Sequence, residues 1–271
     1  MKVNIQRAID FVYKNGNILD KSRIDVILDR KKPAESIIQV IMDLQNEDGG
    51  FPYNMQKGKL SSISNTTVAL IWLNDLGLLQ SDVSKKAIKY IVSMQKEDGS
   101  WDENLEIAKY NPPPWMIPGD RKVIVYNTAY SAFWLGVAEY KVSFAFKRAY
   151  EFLVKCQSES GRFEGFLHST WIGTSVFGMV EGWESERVQR GIKFLDSIDS
   201  SQWVASQISW LLGCFAQSGI PKDNEFVRKM LEKLSEGQKE DGSFASEDGD
   251  EFAVNATIEA VKAMLLWREE I

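Results

Sequence analysis

Apolar residues recur at helical spacing in short stripes separated by turn residues, the pattern of amphipathic helices. Ile41, Ile91, Leu153, Leu195 and Leu234 each have an apolar partner three positions earlier, at Ile38, Ile88, Tyr150, Ile192 and Leu231. Between these one-sided stripes lie runs that are apolar nearly all round, such as Thr66 to Leu73, which suit helices buried on both faces. Pairing each stripe with the run that follows predicts helices over 5–14 and 18–29, 33–45 and 65–74, 83–95 and 127–140, 143–157 and 168–181, 184–198 and 202–217, and 224–238 and 252–269. No stretch alternates as a strand would. The pattern predicts six helical hairpins, an all-α fold in which outer helices surround inner ones.

A short motif marks the end of four outer stripes. It reads Gln45-Asn46-Glu47-Asp48-Gly49-Gly50-Phe51, Gln95-Lys96-Glu97-Asp98-Gly99-Ser100-Trp101, Gln157-Ser158-Glu159-Ser160-Gly161-Arg162-Phe163 and Gln238-Lys239-Glu240-Asp241-Gly242-Ser243-Phe244. Repetition at this period marks an array of supersecondary units. Asp199 and Asn15-Gly16 occupy the same place in two eroded units. The glycine ends the helix in the left-handed conformation, Gln serves the free carbonyls of the helix end, and the aromatic residue plugs the gap between hairpins. The motif is read as a structural clamp.

Composition narrows the functions without choosing one. The 271 residues, 44% hydrophobic and 26% charged, suit one large-cored domain over 1–271 with a Pro-rich insertion at 102–122. A net charge of −6 argues against a nucleic-acid partner. No apolar run approaches a membrane span and the start lacks a signal-peptide core, so a cytoplasmic location is expected. Cys156 and Cys214 fit no metal spacing. The segment Asn111-Pro112-Pro113-Pro114-Trp115-Met116-Ile117-Pro118 is a stiff extended path, expected over the mouth of the ring and a possible dock, at 111–118, for a protein partner.

The Gln-x-x-Asp-Gly-x-Trp/Phe motif resembles the QW repeat of squalene-type (class II) terpenoid cyclases and the related repeat of protein prenyltransferase β subunits. That resemblance covers nearly the whole chain and implies an α6/α6 toroid around an apolar centre. It also implies an acidic Asp-x-Asp-Asp-Thr-Ala start on an inner helix in the cyclases, but aligning on Thr-Ala places Ile124, Val125, Tyr126 and Asn127 there. The prenyltransferase zinc ligands are replaced too: Asn127-Thr128-Ala129-Tyr130 stands where Asp-x-Cys-Tyr is expected, and His168-Ser169-Thr170-Trp171 matches the His-Thr-Cys-Tyr start only loosely. No cofactor is required by these residues, and magnesium or zinc is left open.

Candidate ligand-binding residues are Asn65, Trp72, Asn127, Tyr130, Trp134, His168, Trp171, Trp210 and Asn255. The asparagines are read as helix starts that cap free N–H groups, and the aromatic residues as either core or the wall of a cavity. Asp250 and Glu251 are the weak candidates for a displaced proton donor, which would need burial to raise the pKa. Three functions stand side by side: an isoprenoid-type apolar ligand binder without the standard chemistry, an active cyclase or prenyltransferase using displaced acids or a partner subunit, and a protein-interaction scaffold. A carbohydrate-active toroid fits less well, because it leaves the clamp motif unexplained.

Overall fold

The computed structural model describes residues 3–267 and contains twelve α-helices among them. The outer set is α1 (Ile5–Asn15), α3 (Glu35–Leu44), α5 (Asp82–Ser93), α7 (Phe144–Cys156), α9 (Glu186–Asp196) and α11 (Glu225–Glu236). The inner set is α2 (Ile18–Ile27), α4 (Ile63–Asp75), α6 (Arg121–Val137), α8 (Leu167–Glu181), α10 (Ala205–Gln217) and α12 (Ala253–Leu266). Each inner helix packs on the next, and α12 returns to α2. The ring is closed. Residues 268–269, expected in the last helix, lie outside the described residues.

The outer helices start where side-chain oxygens can cap them. Asn4, Ser81, Ser143, Ser185 and Asn224 accept hydrogen bonds from first-turn N–H groups of α1, α5, α7, α9 and α11. Two-residue strands, Phe51–Pro52 and Ser61–Ser62, pair antiparallel just before α4, a feature absent from the helical pattern.

The four motifs are clamps, with chemistry different from that expected. The Gln amide reaches past its own helix end. Gln45 Nε2 donates to the Gly49 carbonyl at 2.8 Å and to the Val83 carbonyl of the next outer helix at 2.9 Å. Gln95 does the same to Gly99 and Ala145, and Gln157 to Gly161 and Arg187. Gln238 closes the ring by donating to Gly242 and to Asn4, whose N–H it accepts in return. The glycines take φ from +88° to +92°. They also lie so close to the next outer helix that a Cβ would meet a backbone oxygen, 2.6 Å away at Gly49 (Lys86), 2.5 Å at Gly99 (Arg148), 2.1 Å at Gly161 (Arg190) and 2.3 Å at Gly242 (Arg7).

The clamp aromatics Phe51, Trp101, Phe163 and Phe244 are buried, and each donates its backbone N–H to a threonine on the adjoining inner helix: Thr66, Thr128, Thr170 and Thr257. These threonines define the register between units. The two eroded units lack the arrangement. The Asp199 side chain accepts from the Ser201 N–H within its own turn, and Gly16 has φ of −82°.

The 102–122 insertion packs at the end of the ring where α4 and α6 begin. Buried Glu103 accepts from Ser62 Oγ and from the N–H groups of Ile63 and Ser64, capping α4 across 39 to 41 residues of chain. Burial pushes the Glu103 carboxyl up, against the pull of these hydrogen bonds. Asp102 accepts from the Gly119 N–H and so pins the two ends of the insertion. Between them Met116 is buried against the start of α6, while Trp115 and Ile117 remain exposed.

Candidate functional site in the ring

The centre of the ring divides into an aromatic half and an ionic half. On α6, α8 and α10, Tyr126, Tyr130, Trp134, His168, Trp171 and Trp210 form one continuous set of ring contacts. Their centroids are 4.5 Å apart for His168 and Trp171, 5.1 Å for His168 and Trp210, 5.2 Å for Tyr130 and Trp210, and 6.3 Å for Tyr130 and Trp134. Five of the sequence candidates, Tyr130, Trp134, His168, Trp171 and Trp210, thus come together. Tyr126 joins them unannounced; its position repeats that of His168 once Thr128 and Thr170 are aligned. Burial raises the pKa of the Tyr126 and Tyr130 hydroxyls, which stay protonated.

The asparagines do not act as helix caps. Ser62 caps α4 and Asp120 caps α6, so Asn65 is the third residue of its helix and Asn127 the seventh. Asn65 instead accepts from the Asn54 N–H in the turn between the short strands. Asn127 is buried, with Oδ1 accepting from Ser64 Oγ at 3.0 Å and Nδ2 lacking a partner. Asn255 is one register out: the threonines align it with Ser64 and Tyr126, and it accepts from Arg23 rather than sharing a site with Asn65 and Asn127. Trp72 remains half-buried on α4, and its neighbour Ile71 lines the central cavity.

The ionic half joins α2, α4 and α12. Arg23, 1% exposed, donates through Nε to Asp75 at 2.9 Å and through Nη2 to Glu259 at 2.8 Å. Lys262 Nζ lies 2.6 Å from the other Asp75 oxygen and 3.6 Å from Glu259 Oε2. Two cations thus balance two carboxylates. Burial acts downward on the pKa of Arg23 and Lys262, but the facing carboxylates hold both up. Glu259 is raised by burial despite Lys262. A signal was present on α4 and α12, where Asp75, Glu259 and Lys262 are the charges of otherwise apolar helices; α2 carries Asp20, Lys21 and Asp25 beside Arg23.

At the mouth, where the inner helices begin, His168 Nε2 lies 2.8 Å from Glu247 Oε1, and Gln207 Nε2 donates to Glu247 Oε2 at 2.7 Å. Burial acts upward on Glu247, but the hydrogen bond and charge of His168, with Gln207, hold its pKa down. Asp248 beside it is raised by burial and by the Glu247 charge. The expected donors are placed elsewhere: the Asp250 side chain is 97% exposed and pairs with Lys239, and Glu251 is exposed in the same turn. The burial that a displaced donor needs is missing at both.

At the opposite end a cavity of about 40 Å3 lies among Tyr130, Trp134, Trp210, Asn74, Glu259 and Lys262. A larger groove of about 240 Å3 sits outside the ring, between Lys155 and Gly165, and belongs to the third clamp. No group of three metal-ligating side chains occurs among the described residues, and no helix there is long and apolar enough to cross a membrane.

A closed ring of paired helices with an aromatic interior defines an alpha-alpha toroid. The chain belongs to the prenyltransferase alpha-alpha toroid domain family, whose profile matches residues 11–168 and again 123–271. Among solved structures it is similar to type II terpene cyclase MstE from Scytonema, at 14% identity and TM-score 0.64, covering 96% of each chain. It is also similar to an MstE variant in complex with geranylgeranyl dihydroxybenzoate, at 12% identity and TM-score 0.65, over 97% of this chain and 96% of that one. A protein from Actinoplanes is 15% identical with TM-score 0.64 over 97% and 98%. No curated protein matches the chain by sequence.

Proposed function

We propose that the chain binds an isoprenoid-type apolar molecule inside the ring and does not carry out the standard cyclase or prenyltransferase chemistry. The observation that carries this reading is the aromatic half of the centre combined with polar atoms left without partners: Asn127 Nδ2, Ser131 Oγ, and the indole nitrogens of Trp134 and Trp171. Buried polar groups are hydrogen-bonded in the great majority of cases, and unpartnered N–H groups on α6 and α8, the helices that carry the aromatic half, suit an interior built to receive a ligand. MstE, a neighbour in fold, is a cyclase whose substrate complex contains a geranylgeranyl chain, which supports the ligand class. Against catalysis of the family kind stand Asn127 and Ala129, where the resemblance implies an acid or metal ligands.

The free space is small, so a prenyl chain must displace Tyr130, Trp210 or their neighbours. Binding is therefore expected to shift tryptophan emission. The test is incubation with squalene, prenyl alcohols and polyprenyl diphosphates, with and without magnesium or zinc, followed by product analysis and fluorescence titration. A shift without new product is expected. Cyclised or transferred product would remove the non-catalytic half, and unchanged emission with every compound would remove the binding half.

A further inference from the structure

The two ends of the ring differ in ways that specify the head group of the ligand and the side from which it is held. At the mouth the groups near the axis are Glu247, Asp248, His168 and Gln207, with Glu103 buried at the start of α4. This is a carboxylate-rich end, and Glu247, in the turn before α12, ties together the first turns of α8 and α10. A diphosphate calls for converging cations or free helix N-termini, and three nearby carboxylates oppose it.

The cavity opens at the other end, where α4, α6, α10 and α12 finish. Helix C-termini carry partial negative charge, which again disfavours an anion. Its charged groups already cancel: Lys262 faces Asp75 and Glu259, and Arg23 faces the same pair. What remains is one donor set and one acceptor. Trp134, 4% exposed, lines the cavity, and its Nε1 makes no well-aligned hydrogen bond, although the Tyr130 hydroxyl lies within reach of it. Lys262 has three N–H groups and a single close acceptor, Asp75. Glu259 Oε2 lies 3.6 Å from Lys262, beyond a hydrogen bond, and keeps capacity to accept.

We infer that this cavity receives the hydroxyl of a neutral alcohol, so that the ligand of the ring is an isoprenoid alcohol rather than a diphosphate. A hydroxyl is the small uncharged group that both accepts and donates. It accepts from Lys262 or Trp134 and donates to Glu259, while the adjoining carbons lie on Tyr130, Trp134 and Trp210. An ammonium would meet Lys262, and a carboxylate would meet Glu259. This inference rests on the ligand-binding reading above and adds the head group and the end of the ring.

Gly213 makes the inference testable, because it lines the cavity and a Cβ there would meet nothing within 4 Å. The experiment titrates geraniol and geranyl diphosphate into wild type, Gly213→Leu and Trp134→Phe, following tryptophan emission and heat, with thermal unfolding of each variant as the check on folding. Wild type is expected to bind geraniol at least about tenfold more tightly than the diphosphate, the scale of one hydrogen bond to a charged group. Gly213→Leu should weaken geraniol by a similar factor with little change in Tm, and Trp134→Phe, which keeps the ring but loses the N–H, should weaken it less. Equal or tighter binding of the diphosphate overturns the neutral head group. Geraniol binding unaffected by both substitutions overturns the cavity as its place, while leaving the ligand-binding reading intact. Absence of binding by either compound overturns the inference, and squalene titrated in parallel shows whether the broader reading falls with it.

Discussion

Gly161 shows how tightly a single residue can be constrained. Its φ of +92° disfavours any side chain, and a Cβ would stand 2.1 Å from the Arg190 carbonyl oxygen. Gly77 has φ of +69° but open space around it. Gly161→Ala is therefore expected to cost about 3 kcal/mol or more, combining backbone strain with overpacking, and Gly77→Ala only about 1 kcal/mol. Chemical denaturation of the two variants separates the terms, and equal losses would refute the role of close approach. Trp101 makes a second residue-scale test. It is fully buried and donates Nε1 to the Ile91 carbonyl, so Trp101→Ala should lose about 3–5 kcal/mol. The clamp aspartates add a pH dependence. Asp241 accepts from the Ser243 hydroxyl and N–H, which hold its pKa below the ordinary carboxylate value. Its contribution is then complete above about pH 4 and fades as pH falls through the lowered value. Asp241→Asn, which keeps an acceptor, should flatten the acid limb of a Tm-against-pH curve.

Helices show what the sequence could and could not tell. The six hairpins and the clamp motif were legible because period and glycine placement are local signals. The start of α6 was not: Asn127 repeats Asn65 by eye, yet Asp120 caps the helix seven residues earlier, behind an insertion whose Asp102 and Gly119 must first be brought together. Asn255 was misaligned for a related reason. Its true register is set by Thr257, and a hydroxyl that accepts from a clamp N–H leaves no mark distinct from any other threonine. Five of the ring aromatics were found from their stripe, while Arg23, Asp75, Glu259 and Lys262 escaped notice because they lie on three helices that meet only on closure: Glu259 and Lys262 stand one turn apart on α12, Asp75 ends α4, and Arg23 is one of several charges on α2. Capping of α4 by Glu103 is likewise nonlocal. Glu103→Ala strips acceptors from the Ile63 and Ser64 N–H groups and should cost about 2 kcal/mol, with hydrogen exchange accelerated first in the opening turn of α4.

In the whole molecule, the ionic half of the centre lies where the first inner helices meet the last. Arg23→Met would leave Asp75 and Glu259 short of a counter-charge, and a loss of about 3–5 kcal/mol is expected in urea unfolding. Beside it Ala8, Ile9, Val12 and Ile24 share a small core of their own with Ile258 and Val261, separate from the main one. Gln238 and Asn4 fasten the same seam across 234 residues. This seam has a consequence in time. The first hairpin cannot bury its apolar face until nearly all the chain has been made, so its core forms late, and contacts between such distant residues slow the final step of folding. Pulse-labelled hydrogen exchange during refolding should find α1 protected together with α12 and after α6 and α8; until that moment the first hairpin of the ring is the most exposed to proteases and to chaperones.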